Sequence, residues 1–267
     1  MNRSQYSTSD AWHQLRSLTA ARIALGRSGG SLTTSELLDF GLAHARARDA
    51  VHAVFDPEAL TRELSELGIP CLTIDSCARD RWEYLRRPDL GRRLNEASRK
   101  TLSDLTTPSC DLSIVISDGL SATAAHQQAV PVLKSLWPRL LNDRWSLAPV
   151  QLVRFGRVAI QDEIGELLGA QLSLMLIGER PGLGSPNSLG AYFVYRPQPG
   201  KTDAERNCVS NIRAEGLSPE AAAESLYYLL SESRRRRISG VMLKDDRQRV
   251  VSKDSLRLLT NGGGSLG

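Results

Sequence analysis

The chain has 267 residues, 41% of them hydrophobic and 24% charged, and its 34 Lys+Arg against 30 Asp+Glu give a formal net charge of +4. That balance suits one large globular domain, or one domain plus an appendage, and argues against a mainly disordered chain. The apolar run Leu172 to Gly178 is strand-sized, far short of the ~20 residues of a membrane span, and the N-terminus lacks an apolar region followed by a small-residue cleavage site. An intracellular protein that does not cross a bilayer is expected, with Cys71, Cys77, Cys110 and Cys208, which form no C-x-x-C, as free thiols.

Residues 10–25 space Trp12, Leu15, Leu18, Ile23 and Leu25 as an amphipathic helix closed by Gly26. The segment GRSGGSLTTSE breaks the chain, and Thr34 or Ser35 caps a second helix whose apolar face uses Leu37, Leu38, Phe40, Leu42, Ala45 and Val51. A third runs from Asp56 to Leu67, so residues 1–68 form an N-terminal helical segment. After Gly68-Ile69-Pro70, CLTIDS reads as a strand, followed by the helices RDRWEYL and PDLGRRLNEASRKTLSDL.

From there the rhythm is regular. DLSIVISDG is a buried strand, SATAAHQQAVPVLKSLWPRLL a helix interrupted by Pro131 and Pro138, APVQLVRFG a strand, DEIGELLGA a short helix and LSLMLIGE a strand. Strands alternating with helices predict an α/β fold with a largely parallel sheet covered on both faces. A turn-rich loop, the β-prone AYFVYRP and NCVSNI, and a helix SPEAAAESLYYLLSESRRRR capped by Ser218 and followed by Gly240 complete a domain over 69–243. Residues 244–267 read as a loose tail.

In open α/β sheets, ligands bind outside the carboxyl ends of strands where strand order reverses. Two loops qualify. Asp118-Gly119-Leu120-Ser121 either presents amides and the Ser121 hydroxyl to a polar ligand group or is a turn with Ser121 as a helix cap. Glu179, opening Glu179-Arg180-Pro181-Gly182-Leu183-Gly184, either accepts hydrogen bonds from a ligand or forms an exposed pair with Arg180.

Other signals are weak. GLG at 182–184 and GRSGG at 26–30 match neither a dinucleotide fingerprint nor a P-loop. His13, His44, His52 and His126 make no metal-ligand spacing, and there is no G-x-S-x-G elbow. Arg234 to Arg237 raise nucleic acid as a partner, but cations in the last turn of a helix also complement its dipole, and no aromatic interleaves the run.

Six strings occur in order across roughly residues 12 to 242: Ala21-Arg22-Ile23-Ala24-Leu25-Gly26-Arg27-Ser28-Gly29, Arg86-Arg87-Pro88-Asp89-Leu90-Gly91-Arg92-Arg93-Leu94, Val115-Ile116-Ser117-Asp118-Gly119-Leu120-Ser121, Val153-Arg154-Phe155-Gly156-Arg157-Val158, Gly178-Glu179-Arg180-Pro181-Gly182-Leu183-Gly184 and Cys208-Val209-Ser210-Asn211-Ile212. Together they make the chain resemble the small subunit of ethanolamine ammonia-lyase, an adenosylcobalamin-dependent enzyme. The resemblance implies a Rossmann-like domain that encloses adenosylcobalamin against a larger barrel subunit. That subunit would carry the catalytic residues, and this chain alone would be inactive. The reaction implied is radical conversion of ethanolamine to acetaldehyde and ammonia within a hetero-oligomer.

The family's cobalamin-contacting positions fall on Val158, Glu179 and Cys208, so the two lines of reasoning meet at Glu179. No Asp-x-His-x-x-Gly surrounds any histidine. The cofactor is therefore expected base-on, with cobalt held by its own benzimidazole and by no residue of the protein. The chain begins near the first matching segment, where some members carry a longer leader, which favours the cytoplasm over a bacterial microcompartment. The alternatives are a self-sufficient Rossmann enzyme binding a nucleotide, disfavoured by the missing glycine fingerprint, and a basic nucleic-acid-binding module using Arg234 to Arg237.

Overall fold

A computed structural model describes residues 15, 18, 19, 21–105 and 109–247. Most of the helix expected over 10–25, and nearly all of the expected tail, lie outside them. Where that helix is described, from residue 21, it is not helical: Ala24 takes a left-handed φ of 51°, and the chain enters a small hairpin of β1 (Arg27–Ser28) and β2 (Ser31–Leu32).

Side-chain caps set the starts of the helices. The Thr33 hydroxyl, rather than Thr34 or Ser35, accepts from the Glu36 amide to start α1 (Thr34–His52). Asp56 with Pro57 at the first position starts α2 (Pro57–Glu66). The expected apolar face of α1 is not buried: Leu37, Leu38, Phe40 and Leu42 are exposed, because they are spread around the helix and no other described element covers them.

Strand β3 (Cys71–Asp75) is followed by α3 (Arg81–Arg86), capped by Asp80. The long helix expected over PDLGRRLNEASRKTLSDL is split into a 3-10 turn, Leu90–Arg92, and α4 (Glu96–Asp104). Leu94 between them bridges Ser76 and donates its amide to Glu163 Oε2 at 2.9 Å, and Asn95 restarts the helix by accepting from the Ser98 amide. Tertiary and capping bonds together outcompete helical continuity here.

Next come β4 (Leu112–Ser117), α5 (Ala122–Asn142), β5 (Val150–Arg154), α6 (Ile160–Leu167), β6 (Leu172–Gly178), β7 (Leu189–Tyr195), β8 (Arg206–Ile212) and α7 (Pro219–Arg236). Pro131 and Pro138 do not interrupt α5, which runs continuously through both. Neither proline is on the buried stripe formed by Ala125, Ala129, Leu133, Leu136 and Leu140, so the carbonyls they leave unpaired can meet water. Helix α7 ends before Gly240, with Arg237 in the left-handed conformation at φ 57°.

The six-stranded sheet has the order β3-β5-β4-β6-β7-β8; β3 to β6 are parallel, and β7 and β8 add an antiparallel edge. Alternation along the strands divides the core. Ile114, Ile116, Leu174, Leu176 and Phe193 face α2, α5 and α7. Val115, Val153, Met175 and Ile177 face α4 and α6. That is the predicted α/β, Rossmann-like, largely parallel sheet with helices on both faces. None of the described helices is long and apolar enough to cross a membrane.

The chain leaves β4 toward β5 on one side and leaves β6 toward β7 on the other, so the two carboxyl ends form the reversal point of the sheet. That crevice is filled by backbone. A Cβ on Gly178 would lie 2.0 Å from the Ser121 carbonyl oxygen, and one on Gly119, at φ 53°, would lie 2.4 Å from the Gly178 oxygen. The Leu120 amide donates to that same oxygen at 2.9 Å.

Asp118 locks the junction. Its Oδ1 accepts from the Phe155 amide at 2.8 Å and from Ser117 Oγ at 3.1 Å, while Oδ2 accepts from Arg81 Nη1 at 3.1 Å. The Phe155 link matters because Phe155 holds a left-handed φ of 56°. Burial pushes the Asp118 carboxyl up to about 6, against the lowering influence of Arg81 and the hydrogen bonds.

Two stability measurements follow from this packing. Gly178→Ala should lower the urea-unfolding free energy by about 3 kcal/mol, since backbone surrounds the added methyl, whereas Gly41→Ala, in open space on α1, should raise it by about 0.5–1 kcal/mol. For Asp118, a folded pKa of about 6 above an unfolded value of 3.8 means the folded state binds the proton more tightly. The group's contribution to stability therefore grows as pH falls through 6 toward 4 and is lost as pH rises. The stability deficit of Asp118→Asn relative to the wild type should accordingly be about 2 kcal/mol larger at pH 4.5 than at pH 7, and a deficit independent of pH would refute the assignment.

Candidate functional site

The reversal point itself is closed; one space open to a ligand lies beside it, over β7 and β8, and another lies between α1 and the loop around Pro186. Helices α4 and α6 cover the second sheet face as far as β6, and β8 contributes no residue to that core. Tyr192 and Cys208, directly paired across β7 and β8, point to this uncovered area. The result is a cleft of about 540 Å³ lined by Arg157, Val158, Tyr192, Lys201, Arg206 and Cys208, with Arg92 at its edge.

Val158 and Cys208 are thus brought together, one from the loop after β5 and the other from an edge strand, 50 positions apart in sequence. Val158 also packs against the core beneath α6. Cys208 is exposed as a residue, yet its sulfur is desolvated, which with the nearby Glu179 charge pushes the thiol pKa up against a lowering bond with Tyr192. It is a neutral thiol at neutral pH, suited to contact and not to nucleophilic attack.

Glu179 stands immediately beyond β6, half-buried, and flanks the cleft without lining its floor. It is not spent on Arg180. Oε2 accepts from Ser188 Oγ at 2.6 Å and from the Asn211 amide at 3.4 Å, and a Cβ on Gly190 would lie 3.0 Å from Oε1. The glycine lets the carboxylate lie along β7 beside Tyr192, whose phenol pKa is raised by burial first, then by Cys208 and Glu179. Glu179, Tyr192 and Cys208 thus form one electrostatically connected group.

The Asp118–Ser121 loop takes the other of its two readings. Ser121 is fully buried, caps α5 by accepting from the Ala124 amide at 3.2 Å, and donates to the Pro186 oxygen at 3.0 Å. Asp118 is consumed by its clamp. The loop shapes the site from behind, with its carboxylate and hydroxyl both spent within the chain.

Two features behind the cleft wall escaped the sequence. Arg206 and Asp162 form a buried bidentate pair, with both bonds at 2.6 Å, that ties β8 to α6; burial pushes the Asp162 carboxyl up, partly offset by Arg206. Arg157 lies over the Tyr84 ring, 4.2 Å from its centroid, and donates to the Tyr84 carbonyl at 2.9 Å. The Tyr84 phenol, which burial pushes up to about 12, donates to the Gly156 oxygen at 3.3 Å. A Cβ on Gly91 would lie 2.7 Å from Arg157 Cγ, and the Gly91 oxygen accepts from the Arg157 amide at 2.7 Å. So the strings containing Gly91 and Arg157, 66 residues apart, pack against each other. Tyr192 was recoverable only as the cross-strand partner of Cys208, which requires the hairpin register.

The run Arg234 to Arg237 is used at the end of α7. Arg234 pairs with Asp111 at 2.9 Å and lies over Trp145, Arg235 pairs with Glu232 at 2.6 Å, and Arg237 is the helix cap.

Comparison with known proteins adds a separate line of evidence. Residues 9–244 match the family described as Ethanolamine ammonia-lyase light chain (EutC). A protein of Pseudomonas putida (strain W619) named ethanolamine ammonia-lyase small subunit is 55% identical over 249 residues, 92% of each chain. One of that name from Azotobacter vinelandii is 55% identical over 243 residues, 90% of each chain. A third, from Pseudomonas fluorescens (strain Pf-5), is 51% identical over 258 residues, 96% of this chain and 94% of its own. With a match over nearly the whole described chain, this chain belongs to the ethanolamine ammonia-lyase light chain family.

Proposed function

We propose that this chain is the small subunit of an adenosylcobalamin-dependent ethanolamine ammonia-lyase, enclosing the cofactor together with a large subunit that carries the catalytic residues. The observation that carries the reading is the uncovered sheet face over β7 and β8, where Val158 and Cys208 share one cleft and Glu179 flanks it. A cleft of about 540 Å³ falls within the range for a drug-sized ligand, and a corrin with its side chains is larger. It suits one edge of the cofactor, leaving the rest for the partner.

The residues present fit such a group. The backbone and apolar side chain of Val158 suit the edge of a macrocycle, the Glu179 carboxylate accepts from amide or hydroxyl groups, and the neutral Cys208 thiol permits close approach. When bound, adenosylcobalamin supplies the initiating radical through cleavage of its Co–C bond. This chain's residues bind, orient and exclude water. No histidine is among the residues lining the cleft, so none of them would compete with the cofactor's own benzimidazole, in keeping with base-on binding as part of this proposal.

Residues 1–68 contact the large subunit in this reading, while 69–243 hold the cofactor. Supporting that division, α1 exposes Leu37 at 59% and Leu38 at 68%, with Phe40 and Leu42, an apolar surface that association would bury. The assembly works in the cytoplasm or within a bacterial microcompartment, on ethanolamine.

The direct test is ammonia release from ethanolamine with adenosylcobalamin, using this chain, the large subunit, and both together. Activity only in the mixture is expected; activity of either chain alone would overturn the shared site. In the same complex Glu179→Ala should raise the Kd for adenosylcobalamin about tenfold or more while leaving the melting temperature of the isolated chain within a few degrees. Unchanged affinity would remove Glu179 from the site.

A further inference from the structure

The cation census of the cleft is unbalanced. Four basic side chains line it: Arg92, Arg157, Lys201 and Arg206. Two are neutralised within the chain, Lys201 by Glu205 at 2.8 Å and Arg206 by the bidentate Asp162 pair, with Asp203 a further 3.7 Å contact. Arg92 and Arg157 have no carboxylate partner among the described residues. Arg157 is held in place by the Tyr84 ring and carbonyl, and its Nε is buried with no hydrogen-bond partner. Arg92 follows Gly91, whose carbonyl accepts from the Arg157 amide, so two guanidinium-bearing residues are brought side by side at the Val158 end of the cleft.

Two permanently charged arginines on one wall, without a counter-charge, form a site for an anion, and their planar donors match phosphate oxygens. The β7–β8 wall has another character: Tyr192 and Cys208, paired across these strands, lie under the influence of the Glu179 carboxylate. A ligand with one fixed negative charge and many neutral amide donors would be oriented by that difference.

We infer that Arg92 and Arg157 bind the phosphodiester of the cobalamin nucleotide tail, so that the tail lies toward the Val158 end and the amide-fringed corrin edge toward Glu179. This rests on the cofactor reading above and adds an orientation and two residues to it. Arg157 is a support for the Tyr84 junction as well, so the test uses Arg92, which is exposed on a 3-10 turn and makes no packing contact of that kind.

The experiment is a spectroscopic titration of the assembled two-subunit complex with hydroxocobalamin and with cobinamide, which lacks the phosphate, ribose and benzimidazole. For Arg92→Gln, the hydroxocobalamin Kd should rise about tenfold and the cobinamide Kd should stay within about twofold. Inorganic phosphate should compete with hydroxocobalamin and not with cobinamide. Equal losses for both ligands, no loss for either, or phosphate binding that depends on Arg92 without competing would overturn the assignment while leaving the cofactor reading standing. A wild-type complex that binds neither corrinoid would overturn both.

Discussion

The contact between Gly119 and Gly178 is the constraint on which the rest of the site depends. With backbone atoms where a Cβ would be, the two loops leaving β4 and β6 meet directly and close the crevice at the sheet's reversal point. Asp118 then draws the loop after β5 to the same place through Phe155, at the cost of a buried carboxylate and a left-handed non-glycine residue. An open α/β sheet ordinarily offers that crevice to a ligand. Here it is structural, and the cleft shared by Val158 and Cys208 is displaced sideways onto the antiparallel edge.

That displacement gives the site its incompleteness. Covering helices arise where a strand is followed by a crossover, and β7 and β8 are joined instead by the hairpin loop 196–205, which carries no α-helix. The second face of the sheet therefore ends in an uncovered step beside α6. The Arg206–Asp162 pair holds that step by linking β8 to α6 inside the wall, where removing either partner would leave a charge buried alone. A cleft open on one side, with an apolar α1 exposed elsewhere, is the form expected of one part of a shared site.

Lys201 and Arg206 are paired with carboxylates within the cleft wall, and the unpaired charge lies apart from them. Arginines cluster where the Gly91 turn packs against the Phe155–Val158 loop, and the carboxylate lies on the far side with Tyr192 and Cys208. The first cluster is created by the absence of a side chain at Gly91 and the second by its absence at Gly190. In both places a glycine permits the close approach that positions a charged neighbour.

The sequence by itself determined the alternation of strands and helices, the starts of several helices, the central strands and, through six ordered strings, the family. These signals are local or nearly contiguous: Ser121, Ser218 and Asp56 cap the helices that follow them, and the runs of β4 and β6 are buried at every position. Glu179 was legible because strand ends are visible in a sequence. Tertiary structure decided what spacing does not encode: that Leu94 and Asn95 split a helix, that α5 passes through two prolines, and that α1 leaves its leucines exposed. It also decided that Val158 and Cys208 share one cleft, that Asp118 is a clamp, and that Arg92 and Arg157 stand without a carboxylate partner among the described residues. The physical reason is that hydrogen-bond caps and hydrophobic periods act over a few residues, whereas burial, desolvation and charge pairing depend on which distant segments the sheet order brings into contact.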